Sequence, residues 1–399
     1  MTGQGPRLHW ATRLPAGRPA SLLVRPAAIN LLLEEEQFSF TFDPLGRLHG
    51  AFYQGRNYRR SLDNRVLAKW PAAEKGQKER RWLAREEARG LVQVAQGLAG
   101  QMAAAAADAP PAVAAALASL ARWDWAALEA DRQRFQQIYT PVGILPPDQY
   151  LALVVQATHG CSHNACTFCT FYQDIPFRIK TPEQFRQHVA DVLDFFGPAV
   201  AMRRSIFLAD ANALVIPMPR LRALLQGLQP AALPRFAFID AFHVERKSVA
   251  DWQELRADGL ARVTIGMESG HDPLLRWLNK PGDASDVLDA VTRLKAAGLQ
   301  TSVIVLLGAG GDRYAQGHVA DTVALLNAMP LGRGDLIYFS DFVPQADAPY
   351  AGLAAAAGIE TLPAAALRGQ ENAIRAGFVA QNPARPPQFA RYDIGEFVY

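Results

Sequence analysis

Apolar and polar positions change period along this chain, and the changes mark out its elements. Phe38-Ser-Phe-Thr-Phe42 alternates with period two, Asp43 to Arg47 supplies turn residues, and Leu48 to Tyr53 follows, which predicts a β-hairpin. Residues 1 to about 30 carry many Pro, Gly and Arg and read as irregular. Residues 90–122 are Ala-rich and broken at Pro110-Pro111, predicting two helices, and Trp123 to Tyr139 reads as a third. The Pro-rich stretch Pro141 to Pro147 is a connector.

Beyond it the pattern becomes regular. Short apolar runs of strand length occur at Leu151–Gln156, Arg204–Ala209, Arg235–Asp240, Ala261–Gly266, Thr301–Leu307 and Asp335–Ser340. Between them lie helical stretches with start and stop signals: a capping box at Thr181-Pro-Glu-Gln184, Gly197 after Phe196, a cap at Ser248 to Asp251, and Gly298 after Ala297. Six strands alternating with helices over short connections predict an α/β fold with a parallel sheet and right-handed crossovers. An open, partial (β/α)6 barrel fits, and a doubly wound sheet is the competitor. The expected organisation is an N-terminal α+β extension (1–145), the barrel core (146–345) and a C-terminal helical tail (346–399) with a helix near Leu362 to Phe378.

Composition adds two constraints. The longest apolar runs are Ala-rich or of strand length, so no membrane span is expected. Net charge is only +3, but Arg56 to Arg89 holds eleven Lys/Arg against five Asp/Glu. Two readings compete there: a patch for a polyanion such as RNA, or a solvated helix face with interleaved charges from Glu79-Arg80-Arg81 to Arg85-Glu86-Glu87. The interleaving favours the helix.

The chemistry gathers in one stretch. All three cysteines, Cys161, Cys166 and Cys169, lie just past the first core strand with spacing C-x4-C-x2-C. Strand C-terminal ends are where α/β folds place active sites. Three thiols on one loop suit a metal rather than a disulfide framework. A plant-type ferredoxin site needs a fourth cysteine, which is absent. A zinc site would need His159 or His163 as fourth ligand. A [4Fe–4S] cluster on three thiolates leaves one iron open. Thiols kept free for iron imply a reducing compartment, hence the cytoplasm.

Strand, cysteine loop with the aromatic Phe168 before the third cysteine, then helix resembles the radical SAM superfamily, although its commonest spacing, C-x3-C-x2-C, is one residue shorter. The resemblance covers residues 150–345. It implies a [4Fe–4S] cluster held by Cys161, Cys166 and Cys169, whose open iron binds S-adenosylmethionine. It further implies reductive cleavage to a 5′-deoxyadenosyl radical, hydrogen abstraction from an unknown substrate, and an electron donor such as flavodoxin or ferredoxin. Asp210 and Asn212, after the second strand, stand where the family contacts the methionyl ammonium; a helix N-cap explains them equally well. Ile265-Gly-Met-Glu-Ser-Gly270 resembles the Gly-Leu-Glu-Ser-Gly segment of several branches, which assigns Glu268 and Ser269 to the cofactor's ribose or amino-acid part. Gly308, Gly310 and Gly311 would let backbone N–H groups approach the adenine, with Phe171 and Tyr172 flanking it. The strand-four and strand-five motifs resemble the branch of oxygen-independent coproporphyrinogen oxidase and the catalytic halves of methylthiotransferases. With no cysteine left over, auxiliary clusters are not expected and no methyl-carrying cysteine is available, and nothing before residue 150 resembles a cobalamin-binding domain. Two alternatives stay open: an RNA-modifying radical SAM enzyme using the basic segment, and a non-enzymatic zinc- or cluster-binding protein.

Overall fold

A computed structural model describes residues 7–72, 78–226, 228 and 233–399. The chain forms two compact units. The first comprises the residues up to Pro141 together with Ala190–Arg204 and Val398–Tyr399, and the second Val142–Val189 and Ser205–Phe397.

The first unit holds far more sheet than one hairpin. Strands β1 (Leu8–Arg13), β2 (Pro19–Arg25), β3 (Ala28–Leu33), β4 (Phe38–Phe42), β5 (Leu48–Tyr53), β6 (Arg56–Arg60), β7 (Val66–Pro71) and β8 (Lys78–Trp82) form one sheet in sequence order, antiparallel throughout. The expectation of an irregular N-terminus is corrected from Leu8 onward; residues 1–6 lie outside the described residues. Pro19 opens β2, where a strand tolerates proline, so Pro content was a poor guide. The basic segment is corrected too: Lys78–Trp82 is strand, exposed at every position, and the helix begins only at Arg85. Interleaved charge carries no period of its own, whereas Leu67↔Trp82 and Lys69↔Arg80 pairing sets the strand. Helices α1 (Arg85–Ala104), α2 (Pro111–Ala121) and α3 (Trp125–Ile138) follow. Alternate strand residues Leu22, Leu31, Phe40 and Phe42 pack with Val92, Met102, Val113 and Leu117 of the helices in one core.

The second unit is a seven-stranded sheet. Its strands are β9 (Ala152–Gln156), β12 (Ser205–Ala209), β13 (Arg235–Ile239), β14 (Leu260–Glu268), β15 (Gln300–Leu307), β16 (Leu336–Asp341) and β17 (Gln388–Arg391). A short antiparallel pair, β10 (Thr158–His159) with β11 (Arg178–Ile179), brackets the cysteine loop. The interleaved helices are α4 (Pro182–Phe196), α5 (Met218–Gln226), α6 (Val249–Ala257), α7 (Asp272–Trp277), α8 (Ala284–Ala296), α9 (Gly311–Ala328), α10 (Tyr350–Ala356) and α11 (Ala364–Gly377). Strand order β9-β12-β13-β14-β15-β16-β17 follows the chain without reversal, and every pairing is parallel. A doubly wound sheet reverses its order at a switch point; this one does not, so the fold is an open (β/α) barrel. The capping box predicted at Thr181 is reciprocal, with Gln184 N on Thr181 Oγ1 at 3.2 Å and Thr181 N on Gln184 Oε1 at 2.9 Å. The stretch expected as a separate tail instead supplies β17, a seventh parallel strand whose four residues pair with β16. Four residues among prolines are too few to show a period in sequence. Among the described residues no helix is long and apolar enough to cross a membrane.

Candidate active site

The strands' C-terminal ends surround a cavity of about 200 Å³. Strand ends supply Phe238, Ile239 and Asp240, Gly266 and Glu268, Ile304 and Leu306, and Ser340 to Val343, with Tyr392 and Ile394 following β17. The cysteine loop closes the remaining side with Cys161, Cys166, Cys169, His163, Phe168, Phe171 and Tyr172.

The loop is built to hold its thiols in place. Asn164 adopts φ +48° and donates Nδ2 to Tyr172 O at 2.8 Å, while its amide reaches Cys161 Sγ at 3.5 Å. Asn279 Nδ2 donates to Ala165 O at 2.8 Å, and Thr167 N to Leu278 O at 2.9 Å. Burial raises all three thiols, Cys166 up to about 12. They therefore need a positively charged group to ionise. Among the described residues no set of three or more His, Cys, Asp or Glu is arranged around a single metal ion. His163 Nε2 is engaged with Asn279 O at 2.9 Å, and His159 lies in the β10–β11 pair. The three thiols that line the cavity are the donor set that a [4Fe–4S] cluster with one open iron requires.

Opposite the thiols sits a charged trio, of which the sequence reading singled out only Glu268. Lys280 Nζ is 3.2 Å from Glu268 Oε1 and 3.6 Å from Asp240 Oδ1. Burial works against the ammonium, but the two carboxylates outweigh it and hold Lys280 charged above the usual lysine range. Glu268 takes φ +61° at a register shift in the β14–β15 pairing. Gly266 makes room: a Cβ there would stand 2.5 Å from Glu268 Oε1 and 3.1 Å from Lys280 Nζ. Asp240 was visible as the polar end of a strand. Lys280, in a turn after α7, had no signal of its own.

The other expected site residues stand behind the wall. Asp210 is buried; its carboxylate accepts Gln156 Nε2 at 2.8 Å and Gly160 N at 3.2 Å. Burial lifts it to about 6, those two bonds opposing. Asn212 is also buried, with Nδ2 on Asp240 Oδ2 at 2.7 Å and on Ser162 Oγ at 2.8 Å. Neither lines the cavity; Ala211 between them does. Ser269 Oγ meets His318 Nδ1 at 2.8 Å and accepts His271 N at 3.0 Å. The glycine amides are already bonded within the chain. Gly308 N donates to Gln370 Oε1, Gly310 N to Tyr350 Oη and Gly311 N to Gly308 O.

Residues 155–319 match the model of the Radical SAM superfamily. No curated protein sequence matches the chain. Solved structures similar to it include coproporphyrinogen III oxidase (HemN) from Escherichia coli, with 14% identity, TM-score 0.41, and 61% of this chain and 54% of that chain covered. They include HydG, a maturase of the [FeFe]-hydrogenase, with 16% identity, TM-score 0.38 and coverage of 74% and 62%. They also include the cobalamin-dependent S-adenosylmethionine radical enzyme OxsB, with 15% identity, TM-score 0.38 and coverage of 59% and 33%. The chain thus spans about a third of OxsB's own length and about half of HemN's. The segment that matches the Radical SAM superfamily model carries the cysteine loop and strand ends described above. The cofactors of that family are a [4Fe–4S] cluster and S-adenosylmethionine.

Proposed function

We propose that this cavity is the site of reductive S-adenosylmethionine cleavage, followed by hydrogen abstraction from a substrate bound at the mouth of the barrel. The observation that carries the reading is that every cysteine in the chain lines one cavity at the C-terminal ends of a parallel sheet. Cys161, Cys166 and Cys169 would hold the cluster. When bound, such a cluster would supply the single electron for reductive cleavage of S-adenosylmethionine to methionine and a 5′-deoxyadenosyl radical.

The chain's own residues orient and enclose. Glu268, held by Lys280, presents a carboxylate to hydroxyl or ammonium donors of the cofactor. Phe168, Phe171 and Tyr172 supply apolar and aromatic wall beside the thiols. Asp210, Asn212, Ser269 and the Gly308–Gly311 turn act from behind, by fixing the backbone that carries the wall. A one-electron donor such as flavodoxin or ferredoxin and a reducing, cytoplasmic setting complete the reading.

The test is anaerobic reconstitution with iron and sulfide, then EPR of the reduced protein with and without S-adenosylmethionine. The expected result is a [4Fe–4S]+ signal that changes on adding the cofactor, with 5′-deoxyadenosine formed under reduction. Stoichiometric zinc, or a signal indifferent to the cofactor, would return the loop to a structural role.

A further inference from the structure

The basic stretch from Arg56 to Arg89 plays no part in the cavity, and strand alternation sorts its charges. Tyr58 of β6 packs against the helix-side core of the first unit, and its cross-strand row continues through Ala68 to Arg81. Successive side chains of a strand point to opposite faces. The rows on either side, Asn57-Lys69-Arg80 and Arg59-Leu67-Trp82, therefore point away from the helices. Within β8 the same alternation separates Lys78, Arg80 and Trp82 from Glu79 and Arg81. The charges on the helix side are matched: Glu79 Oε2 accepts Trp70 Nε1 at 2.8 Å, and the two carboxylate oxygens of Glu87, in α1, accept from Arg81 at 2.6 Å each.

The face away from the helices is different. Glu79 is the only Asp or Glu in the eight strands, so the strands themselves bring Arg59, Lys69, Lys78 and Arg80 to this face and no carboxylate with them. The three strands that carry the four cations are neighbours, about 5 Å apart. Lys78 and Arg80 are exposed. Trp82 lies among them, 36% exposed, with the Arg65 guanidinium 4.4 Å from its ring centre. Clustered cations attract an anionic chain. An exposed aromatic ring adds a surface on which a base of any identity stacks. An unpaired strand offers both phosphates and free base faces; an acidic protein segment would use the cations alone.

We propose that this face of strands β6 to β8 binds single-stranded nucleic acid, with phosphates against Arg59, Lys69, Lys78 and Arg80 and a base stacked on Trp82. The surface is independent of the cavity's chemistry, so its failure would leave the radical SAM reading intact.

The test is fluorescence anisotropy of labelled oligouridine and oligodeoxythymidine with the full-length reconstituted protein. Saturable binding is expected, tighter for whichever sugar the natural strand carries. Log affinity should fall against log salt with a slope of about −3 for four phosphate contacts, roughly fiftyfold between about 50 and 200 mM salt. Arg80→Gln is expected to weaken binding about fivefold at about 100 mM salt, whereas Arg81→Gln, its neighbour on the helix side, should leave the affinity within about twofold. Trp82→Leu should weaken binding about tenfold with the salt slope unchanged. Melting temperatures close to wild type, expected because these side chains are exposed, keep loss of binding apart from loss of fold. No saturable binding, affinity indifferent to salt, equal affinity for polyglutamate or for duplex DNA, or equal effects of Arg80→Gln and Arg81→Gln would overturn the assignment.

Discussion

Lys280 and Glu268 meet at 3.2 Å inside the cysteine-lined cavity, from a turn after α7 and from the end of β14. Asp240 stands on the other side of the ammonium at 3.6 Å. The cation therefore neutralises two buried carboxylates at once, and the two directions of breaking the trio are unequal. Lys280→Met strands both carboxylates and is expected to cost about 3 kcal/mol of unfolding free energy. Glu268→Gln leaves Lys280 with Asp240 and should cost clearly less. Urea denaturation of both variants checks the order; a larger loss in Glu268→Gln would mean that Lys280 is not the hub.

Gly266 tests the same trio through space rather than charge. A methyl at this position would press on the Glu268 carboxylate and the Lys280 ammonium, both flexible ends that yield at modest cost. Gly266→Ala is therefore expected to lower stability by only ~1 kcal/mol while cutting 5′-deoxyadenosine formation at least about tenfold. Thermal melts beside a product assay distinguish this from simple misfolding, in which both would collapse together.

Removing ligands should separate thiols from histidines. Replacing Cys161, Cys166 or Cys169 by Ala is expected to abolish bound iron after reconstitution, measured by iron and sulfide analysis. His163→Ala loses one hydrogen bond to Asn279 O and should retain its iron. Iron loss in His163→Ala equal to that in the cysteine variants would make the histidine a ligand.

His318 gives the pH dependence a sign. It is fully buried, with Nδ1 on Ser269 Oγ and Nε2 lacking a partner among the described residues, and burial lowers it from 6.5 to about 4. A base whose folded value is depressed holds fewer protons in the native state than in the unfolded one. Its contribution is therefore present above pH 6.5 and is lost as pH falls toward 4, up to about 3 kcal/mol in all. His318→Asn keeps a polar partner for Ser269 and removes the titration. The stability difference between variant and wild type should shift in the variant's favour over that pH range, by guanidinium melts at pH 7 and pH 4.5. A constant difference would show that His318 does not titrate on unfolding.

Local chemistry was legible in the chain, and so was local period. The cysteine loop, the hairpin at Phe38–Tyr53, the cap at Thr181 and the β/α alternation each depend on residues close together in sequence, where side-chain type and spacing decide the outcome. Long-range pairing was not legible. Strands β1 to β3 and β17 are held by partners they meet only on folding. Direction was not legible either. Asp210 and Asn212 follow a strand end as a site residue should, but backbone geometry turns both away and leaves Ala211 at the cavity. Asp240, Lys280 and Tyr392 carried no motif, because what brings them to the thiols is the closure of a sheet. A sequence thus determines which chemistries are available and which elements form; only the tertiary structure decides which side chains share a cavity, since a side chain's aim depends on neighbours distant in the chain.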